Sequence, residues 1–121
     1  NVECVERISK KVRTQANWQR SLDVLSYAVE SGLRTKTGMM VGLGERFDEV
    51  VDTMKQVVDR GVKIFTIGQY LQPTSRHLPV DRYVEPQEFT DYEIMGLEMG
   101  FDSVKSGALV RSSYHADEGV I

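Results

Sequence analysis

Apolar residues fall at helical spacing over two opening stretches. Val2, Val5, Ile8 and Val12 form the first stripe, and Trp18, Leu22, Leu25 and Val29 form the second, ended by Gly32. From Thr35 to Val41 the pattern changes to a short β-permissive run that meets the turn Gly42-Leu43-Gly44-Glu45. A third helix follows, with Asp48 as its expected cap, Val50, Val51, Met54, Val57 and Val58 as its stripe, and Gly61 as its end. Val62 to Ile67 reads as a buried strand. A long connection from Gly68 to Glu85 carries Pro73 and Pro79, and a loop of that length in a compact domain usually has a functional reason. Pro86 suits the first turn of a helix to about Met99, with Phe89, Tyr92, Met95 and Met99 on one side and Gly100 after it. A last strand, Phe101 to Val104, leads to Ser106-Gly107 and a polar tail.

Helices alternating with strands imply a parallel sheet with right-handed crossovers, in an open α/β fold or a barrel. Three strands leave sheet edges bare, so this piece is expected to complete itself against further chain or another copy of itself. In a barrel the useful groups stand at the C-terminal ends of strands: Gly42 to Glu45, Gln69 to Gln72, and Gly107 to Tyr114.

Composition narrows the function classes. The 121 residues suit one globular domain, not necessarily a complete protein. The net charge of −3, with both signs interspersed, gives no footprint for nucleic acid or anionic lipid. No apolar run of about 18 residues is present, so the chain is expected to be soluble with no membrane partner. Cys4 is the sole cysteine and can form neither an internal disulfide nor a thiolate cluster site by itself. It reads as a small buried residue, compatible with a reducing compartment.

Several positions carry chemistry if the fold brings them together. The Gly42-Leu43-Gly44 turn opens a helix where main-chain N–H groups can meet a ligand, although a tight turn explains the glycines equally well. Alternation along the preceding strand puts Lys36, Gly38 and Met40 on one face and Thr37, Met39 and Val41 on the other. A lysine facing a barrel interior needs an anion or water, whereas one at an exposed strand start needs neither. Gln69, Tyr70 and Gln72 can read a purine or simply serve as loop material. Arg76, His77 and Arg82 form a basic lip or a solvated surface. Ser112, Ser113, His115 and Asp117 invite a hydrolase triad, but adjacency in sequence does not make one and no G-x-S-x-G elbow exists.

Taken together, Asn1-Val2-Glu3, Met40-Val41-Gly42-Leu43-Gly44-Glu45, Gly68-Gln69-Tyr70-Leu71-Gln72-Pro73, His77-Leu78-Pro79 and Arg111-Ser112-Ser113-Tyr114 resemble the lipoyl synthases in order and spacing, over nearly the whole chain. The resemblance implies the C-terminal half of a partial (β/α)6 TIM-like barrel, here residues 1–121, with 105–121 as a tail holding the Arg-Ser-Ser-Tyr motif. It implies a radical S-adenosylmethionine enzyme with two 4Fe-4S clusters, each on a cysteine triplet absent from this stretch. One cluster cleaves S-adenosylmethionine to a radical that abstracts hydrogen from an octanoyl chain on a lipoyl-carrier protein. The other cluster donates two sulfur atoms.

By the same resemblance Ser113, with Ser112 as the alternative, ligates the auxiliary cluster, and Arg111 balances charge beside it. Met40 packs on the adenine, bordered by Leu71, with Gly42, Leu43, Gly44 and Gln69 nearby. Asn1 and Glu3 reach the ribose, Ser21 and Arg13 the methionyl carboxylate, and Lys36 faces the auxiliary site. The stretch Thr74-Ser75-Arg76 carries less positive charge than the family pattern, which bears on contacts with the carrier. A bacterial cytoplasmic setting fits better than an organelle. The alternative from another class is a stand-alone α/β module that binds an adenine nucleotide at the glycine turn without catalysis.

Overall fold

A computed structural model describes residues 2–12 and 18–111, with the backbone alone at 11 and 12. The elements are α1 (Glu6–Val12), α2 (Trp18–Glu30), β1 (Lys36–Val41), α3 (Phe47–Asp59), β2 (Ile64–Gln69), α4 (Pro86–Met99) and β3 (Ser103–Gly107). The strands form one parallel sheet in the order β1-β2-β3. This α/β alternation is that of a segment of a TIM-like barrel.

The register sorts the side chains. Thr37, Phe65 and Val104 form one row, Met39, Ile67 and Ser106 the next, and Val41 pairs with Gln69. Period-two alternation puts these rows on one face. That face meets the helices, because a Cβ on Gly96 of α4 would stand 2.7 Å from Val104 Cγ2 and 2.8 Å from Met54 Cε of α3. Val50, Met54, Val57, Phe89, Tyr92 and Phe101 complete the core there, with Phe65 and Phe101 rings 5.3 Å apart. The opposite face holds the rows Lys36-Ile64-Ser103, Gly38-Thr66-Lys105 and Met40-Gly68-Gly107. No described helix is long and apolar enough to cross a membrane.

Several boundaries differ from the sequence expectation. Val2 does not begin a helix: Glu3, at φ 68°, bridges to Met39, donating its N–H to the Gly38 carbonyl (3.0 Å) and accepting from the Met40 N–H (2.8 Å). The N-terminal segment therefore lies along the edge of β1, with the Val2 N–H on Thr37 Oγ1 at 3.0 Å. The cap of α3 is Arg46 instead of Asp48, because Glu49 reaches back to the Arg46 N–H (2.8 Å) as half of a capping box. Strands β2 and β3 start two residues later than expected and run on past Ile67 and Val104 to Gln69 and Gly107, so Gly68 and Gln69 belong to β2 and not to the long connection. The Lys63 N–H and carbonyl face the Thr35 carbonyl and the Asp102 and Ser103 N–H groups before the ladder begins. The fourth helix agrees, with Pro86 at its start and Gly100 at φ 119° closing it.

Phe65 is fully buried and packs on Phe101, so Phe65→Ala is expected to lower unfolding stability by about 3–5 kcal/mol through lost burial and the cavity left behind. Chemical denaturation against an exposed control such as Glu98→Ala measures it.

Candidate functional site

The C-terminal ends of β1 and β2 form a rim whose shape is set by internal polar bonds. Gly42 (φ 97°) and Gly44 (φ 108°) hold left-handed backbone that disfavours side chains. Gly42 is also sterically required, since a Cβ there would overlap the Gln69 amide nitrogen and stand 2.6 Å from the Arg82 carbonyl oxygen. The turn folds around Glu45, which is only 5% exposed. Its carboxylate accepts the Gly42 N–H on both oxygens (3.1 and 3.0 Å) and the Leu43 N–H on one (3.1 Å). Burial pushes this carboxyl above its ordinary value, outweighing those N–H groups and the field of Arg82.

The return of the long connection is fastened to the same place. The Gly42 carbonyl accepts the Asp81 N–H at 2.8 Å. Gln69, itself buried, donates its amide to the Tyr70 carbonyl (2.9 Å) and the Arg82 carbonyl (3.1 Å), and its oxygen accepts the Val84 N–H (2.8 Å). Arg82 and Tyr92 both donate to Glu88 Oε2 at 2.6 Å. Burial pushes the Glu88 carboxyl up, but these two donors outweigh it and hold it below its ordinary range. The Tyr92 ring stacks on Phe47 at 4.9 Å, joining α4 to the first turn of α3.

Farther out, the loop is closed by its own bonds. Tyr70 donates its hydroxyl to the Leu78 carbonyl (2.6 Å), Gln72 its amide to the His77 carbonyl (3.0 Å), and Thr74 Oγ1 lies 2.8 Å from His77 Nδ1. Arg7 of α1 locks the other side. It donates to the Gly44 carbonyl (2.8 Å) and, bidentately, to Glu49 (2.9 and 3.0 Å).

Of the residues expected at a site, Met40 lies half-buried on the open face, in register with Gly68, and Leu71 is exposed at the rim. Gly42, Leu43, Gly44 and Gln69 gather beside them, but the Gly42 and Leu43 N–H groups serve Glu45 and the Gln69 amide serves the loop. Lys36 is four residues from Met40, roughly 13 Å away at about 3.3 Å per strand residue, toward the opposite end of the sheet. Ser21 is half-buried on α2, and Glu3 is exposed beside β1. Arg111 folds its guanidinium onto the Ala108 and Val110 carbonyls (3.2 and 2.7 Å). Asn1, Arg13, Ser112 and Ser113 lie outside the described residues.

Sequence reasoning missed three contributors. Glu45 stood within a recognised turn, but its inward carboxylate was not anticipated. Arg7 and Glu88 act across separations of 37 and 6 residues and leave no local signal. Among the described residues no three His, Cys, Asp or Glu side chains gather to hold a metal ion. Cys4 is buried, and its carbonyl accepts the Trp18 indole N–H at 2.8 Å.

What the rim can hold follows from its chemistry. The half-buried Met40 thioether and the exposed Leu71 offer apolar contact suited to a flat ring such as adenine. A phosphate has no comparable place: the N–H groups that would cradle it already face a carboxylate, whose charge repels an anion.

No family model matches the chain. Among curated proteins it is 58% identical over 120 residues to a lipoyl synthase of Rubrobacter xylanophilus, covering 98% of this chain and 37% of that protein. It is 51% identical over 122 residues to a lipoyl synthase of Flavobacterium psychrophilum, covering 100% of this chain and 42% of that protein. It is 50% identical over 121 residues to a mitochondrial lipoyl synthase of Nematostella vectensis, covering 99% and 42%. The chain thus spans about two fifths of the length of the curated relatives it matches. These likenesses support the lipoyl synthase reading and not the alternative of a stand-alone nucleotide-binding module.

The Arg7 hydrogen bonds, ahead of its charge, hold the Glu49 carboxyl at about 2 against an ordinary 4.5. A depressed pKa stabilises the fold above the unfolded value and ceases to do so as pH falls through the folded one. The stability advantage of the parent over Glu49→Gln is therefore expected to be full at neutral pH and to shrink steadily below about pH 4.5. Denaturation from neutral pH down to about pH 3 checks this.

Proposed function

This chain belongs to the lipoyl synthase family, and on that premise we propose that it forms the C-terminal half of the barrel in which a protein-bound octanoyl chain receives two sulfur atoms. The observation that carries the reading is likeness over the whole chain, at half or more identity, to synthases of two bacteria and an animal. In the whole protein the preceding strand continues the sheet beyond β1, where Glu3 already bridges to Met39.

In this reading Met40, half-buried on the open face, and Leu71, exposed at the rim, contact the adenine of S-adenosylmethionine. Gly42, Leu43 and Gly44 bound that pocket by shape, held in place by Glu45, while Gln69 positions the return of the long loop. Glu3 and Asn1 take the ribose hydroxyls, and Ser21 and Arg13 the methionyl carboxylate. Lys36, farther along the open face, serves the region of the auxiliary cluster. Ser113, or else Ser112, gives that cluster an oxygen ligand, and Arg111 offsets negative charge beside it.

When bound, the two 4Fe-4S clusters and S-adenosylmethionine supply the electron, the hydrogen-abstracting radical and the sulfur. Their thiolate ligands belong to the rest of the synthase, since this stretch offers only buried Cys4. A serine oxygen is a hard, weakly held partner for cluster iron, suited to departure when sulfur is withdrawn. The partner is an octanoylated lipoyl-carrier protein, and the setting a bacterial cytoplasm.

The test is Ser113→Ala in the whole protein. Lipoyl product is expected to fall by at least about a hundredfold while S-adenosylmethionine cleavage stays within about twofold. Unchanged lipoyl formation would remove the ligand role from Ser113.

A further inference from the structure

Gly68 is a glycine whose own backbone does not call for one. The left-handed glycines are Gly32, Gly42, Gly44, Gly61 and Gly100; Gly68 has ordinary strand geometry within the β1-β2-β3 ladder. A glycine inside a strand weakens it, and its usual reason is the close approach of another backbone. Here that backbone is the segment following β3. A Cβ on Gly68 would overlap the Val110 carbonyl oxygen and stand 3.1 Å from the Val110 carbonyl carbon and 3.0 Å from Arg111 Nη1.

The path of the segment explains the contact. After Gly107 the chain turns, with the Val110 N–H on the Gly107 carbonyl at 3.2 Å, and the Arg111 guanidinium closes the turn on the Ala108 and Val110 carbonyls. The turn thus folds back from β3 over the open face of β2, and its main chain rests where the Gly68 side chain would be. A side chain pressed this way can rotate aside, but two backbones cannot. Gly107, in the same row, makes the contrast: a Cβ there would meet only Val110 Cγ2, at an ordinary 3.7 Å. The third member of the row is Met40, one strand spacing of about 4.8 Å from Gly68.

We infer that Gly68 is a positioning residue: its missing side chain is the seat that fixes Val110 and Arg111 against β2, immediately before Ser112 and Ser113 in the chain. The geometric part stands on the contacts above. The consequence for the auxiliary cluster rests on the function proposed for Ser113. Adding a methyl group at Gly68 lifts Val110 and Arg111, which lead directly into Ser112 and Ser113, without altering any residue of the motif.

The experiment compares Gly68→Ala with Gly107→Ala in the whole, cluster-loaded synthase. Hydrogen exchange is followed across residues 108–114, and the auxiliary cluster by its paramagnetic resonance signal. Gly68→Ala is expected to raise exchange in that segment about tenfold or more and to give the cluster signal of Ser113→Ala, while Gly107→Ala stays within about twofold of the parent. Parent-like exchange in Gly68→Ala overturns the seat. If exchange rises but the cluster signal of Ser113→Ala itself equals that of the parent, the seat stands and the ligand assignment falls.

Should Gly68→Ala be too unstable to load its clusters, a thermal-melting cycle with the synthase shortened to end at Leu109 decides the matter. With residues 110 onward removed, the added methyl group meets none of the atoms it would strike, so the Tm loss seen in the full chain is expected to vanish. An equal loss in the shortened protein overturns the inference.

Discussion

Gln69 is the residue on which the rim depends. Its carboxamide is buried at the end of the central strand, and each of its hydrogen-bonding faces meets main chain: the Val84 N–H on one side, the Tyr70 and Arg82 carbonyls on the other. A connection of more than a dozen residues carries many polar backbone groups, and its ordering costs entropy that surface packing alone offsets poorly. One buried amide that pairs both ends of that connection gives it a fixed course. Because Gly42 lacks a side chain, the Gln69 amide and the Arg82 carbonyl can occupy the space beside it. Glycine turn, strand end and loop return are thus one structure.

A second, electrostatic layer surrounds it. Arg7 joins the N-terminal helix to the glycine turn and to Glu49, Glu45 turns its carboxylate into the loop, and Arg82 and Tyr92 share Glu88. Each charge here is matched by a donor or an acceptor at hydrogen-bond distance, which is the condition for keeping charge near a core. The outcome is an open sheet face whose rim offers apolar contact at Met40 and Leu71 and few free N–H groups. That favours a neutral aromatic ring over a phosphate.

Much of this was legible in the chain. The stripe Val50-Met54-Val57, Pro86 with Gly100 at the two ends of α4, and the alternation about Lys36 to Val41 each report a local rule, and the structure follows them. Errors arose where a distant partner overrules a local pattern. Val2 and Val5 keep helical spacing to Ile8, yet the Gly38 and Met40 main chain draws Glu3 into a bridge. Asp48 is a good cap by type, but the Arg46–Glu49 box is made first. Candidate ligands were recognised by motif, while their supports, Glu45 and Arg7 above all, are defined only by the fold.

The central claim is that Gln69 shapes the rim through main-chain bonds, and Gln69→Leu in the whole synthase tests it most directly. Hydrogen exchange at the Val84 amide is read alongside calorimetric binding of S-adenosylmethionine. The account predicts that Val84 loses its protection together with the loss of binding, as its buried N–H loses its partner at about 1–3 kcal/mol and the part-buried Tyr70 and Arg82 carbonyls lose theirs. Binding lost while Val84 stays as protected as in the parent would contradict the account and make Gln69 a direct ligand.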